Sequence, residues 1–206
     1  MLAGGRSSRM GVDKALELLA GRPLVAHALD LLHQAGLPAA IAGARSPLAV
    51  FAPVVEDLQP GLGPLAGISA ALASTSAPRS AFVSVDLPLL PASLLVFLVH
   101  HAKITGAAVT LCSVNGFPQT FPAVVCRSAL PVLQGELKAD RRGCFSAFQA
   151  AASSLNQPMT ILPVEFLVQS GHIAHPHGLP PAWWFLNVNT PEDLRRTADL
   201  HASRLA

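Results

Sequence analysis

Leu24, Ala28, Leu31, Leu32 and Ala35 recur at helical spacing behind the break Gly21-Arg22-Pro23, and Gly36 closes the run. Apolar residues three and four apart share one helix face, so the pattern predicts a helix with Pro23 in its first turn. Ala39 to Ala42 reads as a short apolar strand, and Val54-Val55 as another leading into Glu56-Asp57. The stiff loop Pro60-Gly61-Leu62-Gly63-Pro64 precedes a small-residue helix through Ala73, in which Gly67, Ala70 and Ala71 permit close approach to a sheet. Ala81 to Val85 is a buried strand that ends at Asp86 and is stopped by Pro88, and a helix follows from Pro91 to His101.

Further along, Ala107 to Val114 and Thr120 to Val125 flank Asn115-Gly116, a pair suited to a tight hairpin turn. Helical pieces are expected near Ala129–Leu137 and Cys144–Ala152, and strands at Met159–Pro163 and Trp184–Val188. Thr190-Pro191-Glu192-Asp193 opens the last helix with Thr as N-cap, Pro at the first helical position and an acid at the third. Strands alternating with helices predict an α/β fold: a Rossmann-like three-layer domain with a mostly parallel sheet. The Asn115-Gly116 hairpin breaks the alternation, so the sheet is expected to be partly mixed. With no repeat or linker in view, residues 1–206 are expected to form one domain.

Composition narrows the function classes. Hydrophobic residues are 51% of the 206 and charged residues 13%, enough for a sizeable core. The net charge of +2, without a Lys/Arg run, provides no footprint for nucleic acid but suits anionic small molecules. Cys112, Cys126 and Cys144 form no C-x-x-C pair, which favours reduced thiols used as small core hydrophobes. Leu89 to Val99 is apolar but too short to span a bilayer, and no signal peptide is visible. A cytoplasmic protein without membrane or nucleic-acid partners is expected.

The chemistry concentrates at the N-terminus, in Leu2-Ala3-Gly4-Gly5-Arg6-Ser7-Ser8-Arg9-Met10-Gly11-Val12-Asp13-Lys14. Adjacent glycines let a backbone turn tightly, and successive N–H groups in such a turn form an anion-binding concavity. Arg6, Arg9 and Lys14 add positive charge suited to a triphosphate. Neither the Walker spacing nor the dinucleotide fingerprint is present. In open α/β sheets ligands gather beyond the carboxyl ends of strands, where the Gly4-Gly5 loop, Asp57 and Asp86 are all expected. Asp86, held by Pro88 at the end of an apolar strand, suits Mg²⁺, which favours one or two carboxylates plus phosphate oxygens and water. A helix cap or surface turn is the competing use of such an acid. His172, His175 and His177, in a Pro/Gly-rich loop without nearby Cys or acid, are read as structural, and Trp183-Trp184 as packing.

In order, Leu2-Ala3-Gly4-Gly5 through Arg9-Met10-Gly11 to Asp13-Lys14, Gly21-Arg22-Pro23-Leu24, Glu56-Asp57, Gly63-Pro64-Leu65-Ala66-Gly67-Ile68, Asp86-Leu87-Pro88, Asp140-Arg141-Arg142 and Asn187-Val188-Asn189-Thr190-Pro191-Glu192-Asp193-Leu194 span nearly the whole chain. This series resembles the molybdenum cofactor guanylyltransferases, a family of nucleotidyltransferases with a Rossmann-like sheet. The resemblance implies that Leu2, Ala3, Gly4 and Gly5 hold a nucleotide through backbone contacts. It implies that Lys14 neutralises the phosphates, that Asp57 belongs to the nucleotide site, and that Asp86 binds Mg²⁺. Arg9 and Arg142 would add positive charge, and Asn187 and Asn189 would help receive the acceptor. The implied reaction joins GMP from GTP to molybdopterin-bound molybdenum and releases pyrophosphate, with other enzymes of that cofactor as compatible partners.

Two departures keep alternatives open. Only Met1 precedes Leu2, whereas a strand typically has about five or six residues, so the first strand is expected to be a truncated stub. A native start upstream of Met1, or a shortened and impaired chain, would explain it. Ala42-Gly43-Ala44-Arg45 lacks the asparagine that many family members carry after the second strand. CTP as donor, another phosphorylated acceptor, or a catalytically weak NTP-binding protein therefore stand beside the guanylyltransferase reading.

Overall fold

Met1, Leu2 and Ala3, too few for an independent strand, lie in the middle of the sheet. In the computed structural model, which describes residues 1–3, 13–43, 46–57 and 61–202, Leu2 bridges in parallel to Ala42 on one side and Ser84 on the other. The Leu2 N–H donates to Val83 O at 2.8 Å, Ala3 N–H to Ala42 O at 3.0 Å, and Ala42 N–H to Met1 O at 2.8 Å. Neighbours on both flanks supply the backbone pairing that buried N–H and C=O groups require. The stub expected from sequence is thus a short central strand segment.

In chain order the elements begin with β1 (Leu18–Leu19), β2 (Arg22–Pro23), α1 (Leu24–Gln34), β3 (Ile41–Ala42), β4 (Val54–Val55) and α2 (Pro64–Ser74). Next come β5 (Arg79–Phe82), α3 (Ala92–Thr105), β6 (Val109–Val114), β7 (Phe117–Cys126), α4 (Leu130–Lys138) and α5 (Cys144–Leu155). The chain closes with β8 (Met159–Pro163), α6 (Val164–Gln169), α7 (Pro181–Trp184) and α8 (Pro191–Ala202). Hydrogen bonds join β4 to β3 in parallel, β3 to residues 1–3, and these to residues 83–85, which continue β5. From there the order is β5-β7-β6-β8, with β7 antiparallel to both neighbours and β8 parallel to β6. The mixed sheet follows from the hairpin at Asn115-Gly116, where both residues take positive φ (50° and 78°) as a type I′ turn demands.

Both faces of the sheet are covered. One core joins Leu24, Leu31 and Leu32 of α1 and Leu94, Leu95 and Leu98 of α3 with Val114 and Val124. The other joins Leu65, Ile68 and Leu72 of α2 and Phe148 of α5 with Val109, Leu111 and Val125. Every residue of β6 is buried, as a strand sandwiched between helical layers should be. The register with β7 shifts between Thr110 and Cys112, while Val109 and Leu111 stay in one core and Cys112 and Val114 in the other. The small residues of α2 let it press on the stub: a Cβ added at Gly67 would sit 3.3 Å from Leu2 Cδ2 and 3.5 Å from Asp57 Oδ1.

Local details differ from the sequence reading. Trp184–Val188 is not a strand: Pro181 starts the short helix α7, and Trp184 is buried with its indole N–H on Leu179 O at 2.8 Å. Pro23 is the N-cap of α1 rather than a first-turn residue, because it also ends an antiparallel hairpin, β1–β2. The turn of that hairpin is Ala20-Gly21, both at positive φ. Among the described residues no helix is long and apolar enough to cross a membrane.

Candidate functional site

Parallel pairing alone gathers the chemistry. Leu2 runs parallel to Ala42 and to Ser84, and β3 runs parallel to β4, so these segments end at one edge of the sheet. Ala3, Asp57 and Asp86 are the residues that leave that edge. Gly4, Gly5, Arg6 and Arg9 lie outside the described residues.

Three distant parts of the chain meet at Lys14. Asp13 caps a one-turn 3-10 helix at Lys14–Leu16, with its Oδ1 accepting from Ala15 N–H at 3.1 Å. That turn directs Lys14 Nζ to donate to Asp86 Oδ2 at 2.9 Å and to Asn189 Oδ1 at 2.7 Å. The Lys14 and Asp86 side chains are 20% and 21% exposed, so the pair is shielded yet reachable by a ligand. The Asp86 carbonyl accepts from Val188 N–H at 3.0 Å, which docks the 187–189 segment onto the strand end. Asn187 is exposed in that same segment.

Asp86 Oδ1 and Asp57 Oδ1 are buried without a hydrogen-bond partner among the described residues. Unpaired buried acceptors are costly, and in native proteins they point to a role. Burial pushes the Asp57 carboxyl above the usual carboxylate range. Among the described residues no group of three or more His, Cys, Asp or Glu could cage a metal. A lone hard oxygen such as Asp86 Oδ1 instead fits an ion that brings phosphate and water as its remaining ligands.

Arg142 is not drawn into this cluster. Its Nη2 pairs with Asp140 Oδ1 at 2.7 Å on the exposed turn before α5. His175 holds Leu89 O through Nε2 at 3.1 Å and packs near Trp184, in keeping with a structural role for that loop. Asp193 was legible only as a helix-opening acid, yet its Oδ2 accepts from Asn189 N–H at 3.0 Å, one residue bond away from the lysine contact.

Comparison with known proteins identifies the family. The family described as MobA-like NTP transferase domain matches residues 1–155. A molybdenum cofactor guanylyltransferase of Rhizobium meliloti is 33% identical over 95% of this chain and 88% of its own length. One from Xanthomonas euvesicatoria is 45% identical over 96 residues, 46% of this chain and about half (49%) of that relative. The molybdopterin-guanine dinucleotide biosynthesis protein A of Archaeoglobus fulgidus superposes with a TM-score of 0.78 at 22% identity, covering 98% of this chain and 97% of that one. At that identity the superposition speaks for the fold. The matched family and the near full-length relative together place this chain among the MobA-like NTP transferases, the nucleotidyltransferase family of the molybdenum cofactor guanylyltransferases.

Proposed function

We propose that the chain is a Mg²⁺-dependent nucleotidyltransferase that moves GMP from GTP to molybdopterin-bound molybdenum and releases pyrophosphate. The observation that carries this reading is the convergence of Lys14, Asp86 and Asn189 at the strand edge from which the N-terminal glycine loop departs. The relatives' names supply the donor and acceptor.

A terminal phosphate oxygen of the acceptor attacks the α-phosphorus of GTP, a new P–O bond forms, and the bond to the β-phosphate oxygen breaks with pyrophosphate leaving. The acceptor is already anionic at neutral pH, so no protein nucleophile is required. The cysteines would serve poorly as one: Cys112 and Cys144 are buried, and burial pushes their thiols up to about 12 and about 11. Catalysis then reduces to positioning and charge neutralisation.

Lys14 leaves Asp86 for the phosphates, and its ammonium offsets the charge that builds on the departing pyrophosphate. Asp86, released from that pair, would hold Mg²⁺ through the oxygen that has no partner among the described residues, and the ion would supply charge neutralisation at the triphosphate. Leu2 and Ala3, fixed between two strands, hold the nucleotide through their backbone, and Gly4, Gly5 and Arg9 are assigned to the same nucleotide by the family resemblance. Asp57 borders that site beside Gly67. Asn187 and Asn189 face the acceptor side, with Arg142 as an outlying positive charge.

Pyrophosphate release measured with GTP, CTP and ATP, each with the same pterin acceptor and Mg²⁺, tests the proposal. GTP is expected to turn over fastest. Preference for CTP would reassign the donor, and nucleotide binding without pyrophosphate release would refute catalysis.

A further inference from the structure

The lysine at the centre of the site depends on a contact it does not make itself. Asn189 Oδ1 takes a hydrogen bond from Lys14 Nζ at 2.7 Å, yet Asn189 is exposed, so little packing fixes its side chain and its position depends on how its backbone is held. One carboxylate oxygen fixes that backbone. Asp193 Oδ2 accepts from Asn189 N–H at 3.0 Å, from Thr190 N–H at 2.9 Å and from the Thr190 hydroxyl at 2.9 Å. Thr190 Oγ1 in return accepts from Asp193 N–H at 3.1 Å. An ordinary capping box secures a helix start through the N-cap residue. This one reaches one residue further back and fastens the asparagine that faces the lysine.

We propose that Asp193 is a positioning residue for nucleotidyl transfer: through the Asn189 backbone it sets where Lys14 Nζ stands beside Asp86. The role rests on the function proposed above for Lys14. Hydrogen bonds from Asn189 and Thr190 hold the Asp193 carboxyl below its usual range, with the Lys14 charge contributing in the same direction, so it is the ionised acceptor at neutral pH. Asp193 makes no hydrogen bond or ion pair with Lys14 or Asp86 among the described residues, so apart from its charge it reaches the lysine through Asn189. A displaced catalytic group on the order of 1 Å out of place costs roughly a hundredfold in rate, which sets the scale of the effect.

The test uses the full chain, with wild type, Asp193→Ala, Asp193→Asn, Asn189→Ala and the Asp193→Ala/Asn189→Ala double variant. Expected for Asp193→Ala is a roughly ten- to hundredfold fall in kcat, with a smaller change in KM for the nucleotide. Asp193→Asn, whose carbonyl still accepts, should recover part of the loss. In the Asn189→Ala background the second substitution should add less than about twofold, as expected when one residue acts only through another. A second readout needs no turnover: with lysines 14, 103 and 138 the only ones in the chain, isotope-labelled lysine gives a Lys14 side-chain signal that can be assigned by substitution. Asp193→Ala and Asn189→Ala should move that signal in the same direction. An unmoved Lys14 signal, or a full additional loss in the double variant, would overturn the positioning role. A wild type silent towards every triphosphate would overturn the reading of function alone, and the lysine signal would then decide this proposal.

Discussion

Replacing Asp86 by alanine should separate a functional carboxylate from a structural one. At 2.9 Å the Lys14–Asp86 attraction is about 6 kcal/mol for an effective dielectric of ~20. Desolvation of two side chains only a fifth exposed offsets most of that, and pairs of this kind contribute little net stability. The substitution also removes a buried oxygen that has no partner among the described residues, and Lys14 keeps Asn189 Oδ1. The net change in stability should therefore stay within about 1 kcal/mol, a shift of roughly 2–4 °C in Tm for a chain of this size. Turnover should fall about a hundredfold or more, the scale of losing one electrostatic stabiliser, equivalent to ~2.7 kcal/mol of barrier. Thermal melts and pyrophosphate release on the same preparations give both numbers. A loss of about 3–5 kcal/mol in stability, the scale for stranding a buried charge, with activity per folded molecule unchanged, would refute the reasoning and make the pair a strut.

Lys14→Met, which keeps the length of the stem, should lower kcat/KM for the nucleotide by roughly a hundredfold in steady-state assays and should lower the melting temperature more than Asp86→Ala does, because it leaves the Asp86 carboxylate without the lysine that pairs it. Ala20→Gly should stabilise the chain by up to about 1 kcal/mol, because Ala20 holds φ 50° in a hairpin turn that glycine adopts without the Cβ clash; chemical denaturation reads it. Cys112, whose folded-state thiol is pushed from 9.0 up to about 12, favours the fold while protonated. Its contribution is complete below pH 9 and is lost as pH rises towards 12, so denaturation midpoints should decline over that window and decline less in Cys112→Ala.

Much of this was visible along the chain, and the parts that were not have physical reasons. The strand at Ala81 and the helices on both faces showed themselves through apolar periodicity, because each buries a whole face. The stub at Leu2 was expected only through the family resemblance, since a three-residue segment has no periodicity of its own and becomes a strand through Ala42 and Ser84. Trp184 misled for a related reason: an apolar run reads alike whether it is a buried strand or a buried turn, and Pro181 decided it. The β1–β2 hairpin was hidden behind Ala20, a residue that rarely takes positive φ. At the site, Asp86 announced itself as an acid ending an apolar strand. Asn189 reaching Lys14 across 175 positions is a tertiary fact that no local spacing encodes.

Locating a bound nucleoside triphosphate in crystals of this protein, supplied with GTP and Mg²⁺, tests the central claim most directly. The account predicts phosphate oxygens within hydrogen-bond distance of Lys14 Nζ, with Asp86 turned from the lysine towards the metal. A triphosphate seated elsewhere, for example in the groove between α5 and β8 lined by Phe145, Gln149 and Met159, with Lys14 still closed on Asp86, would contradict it.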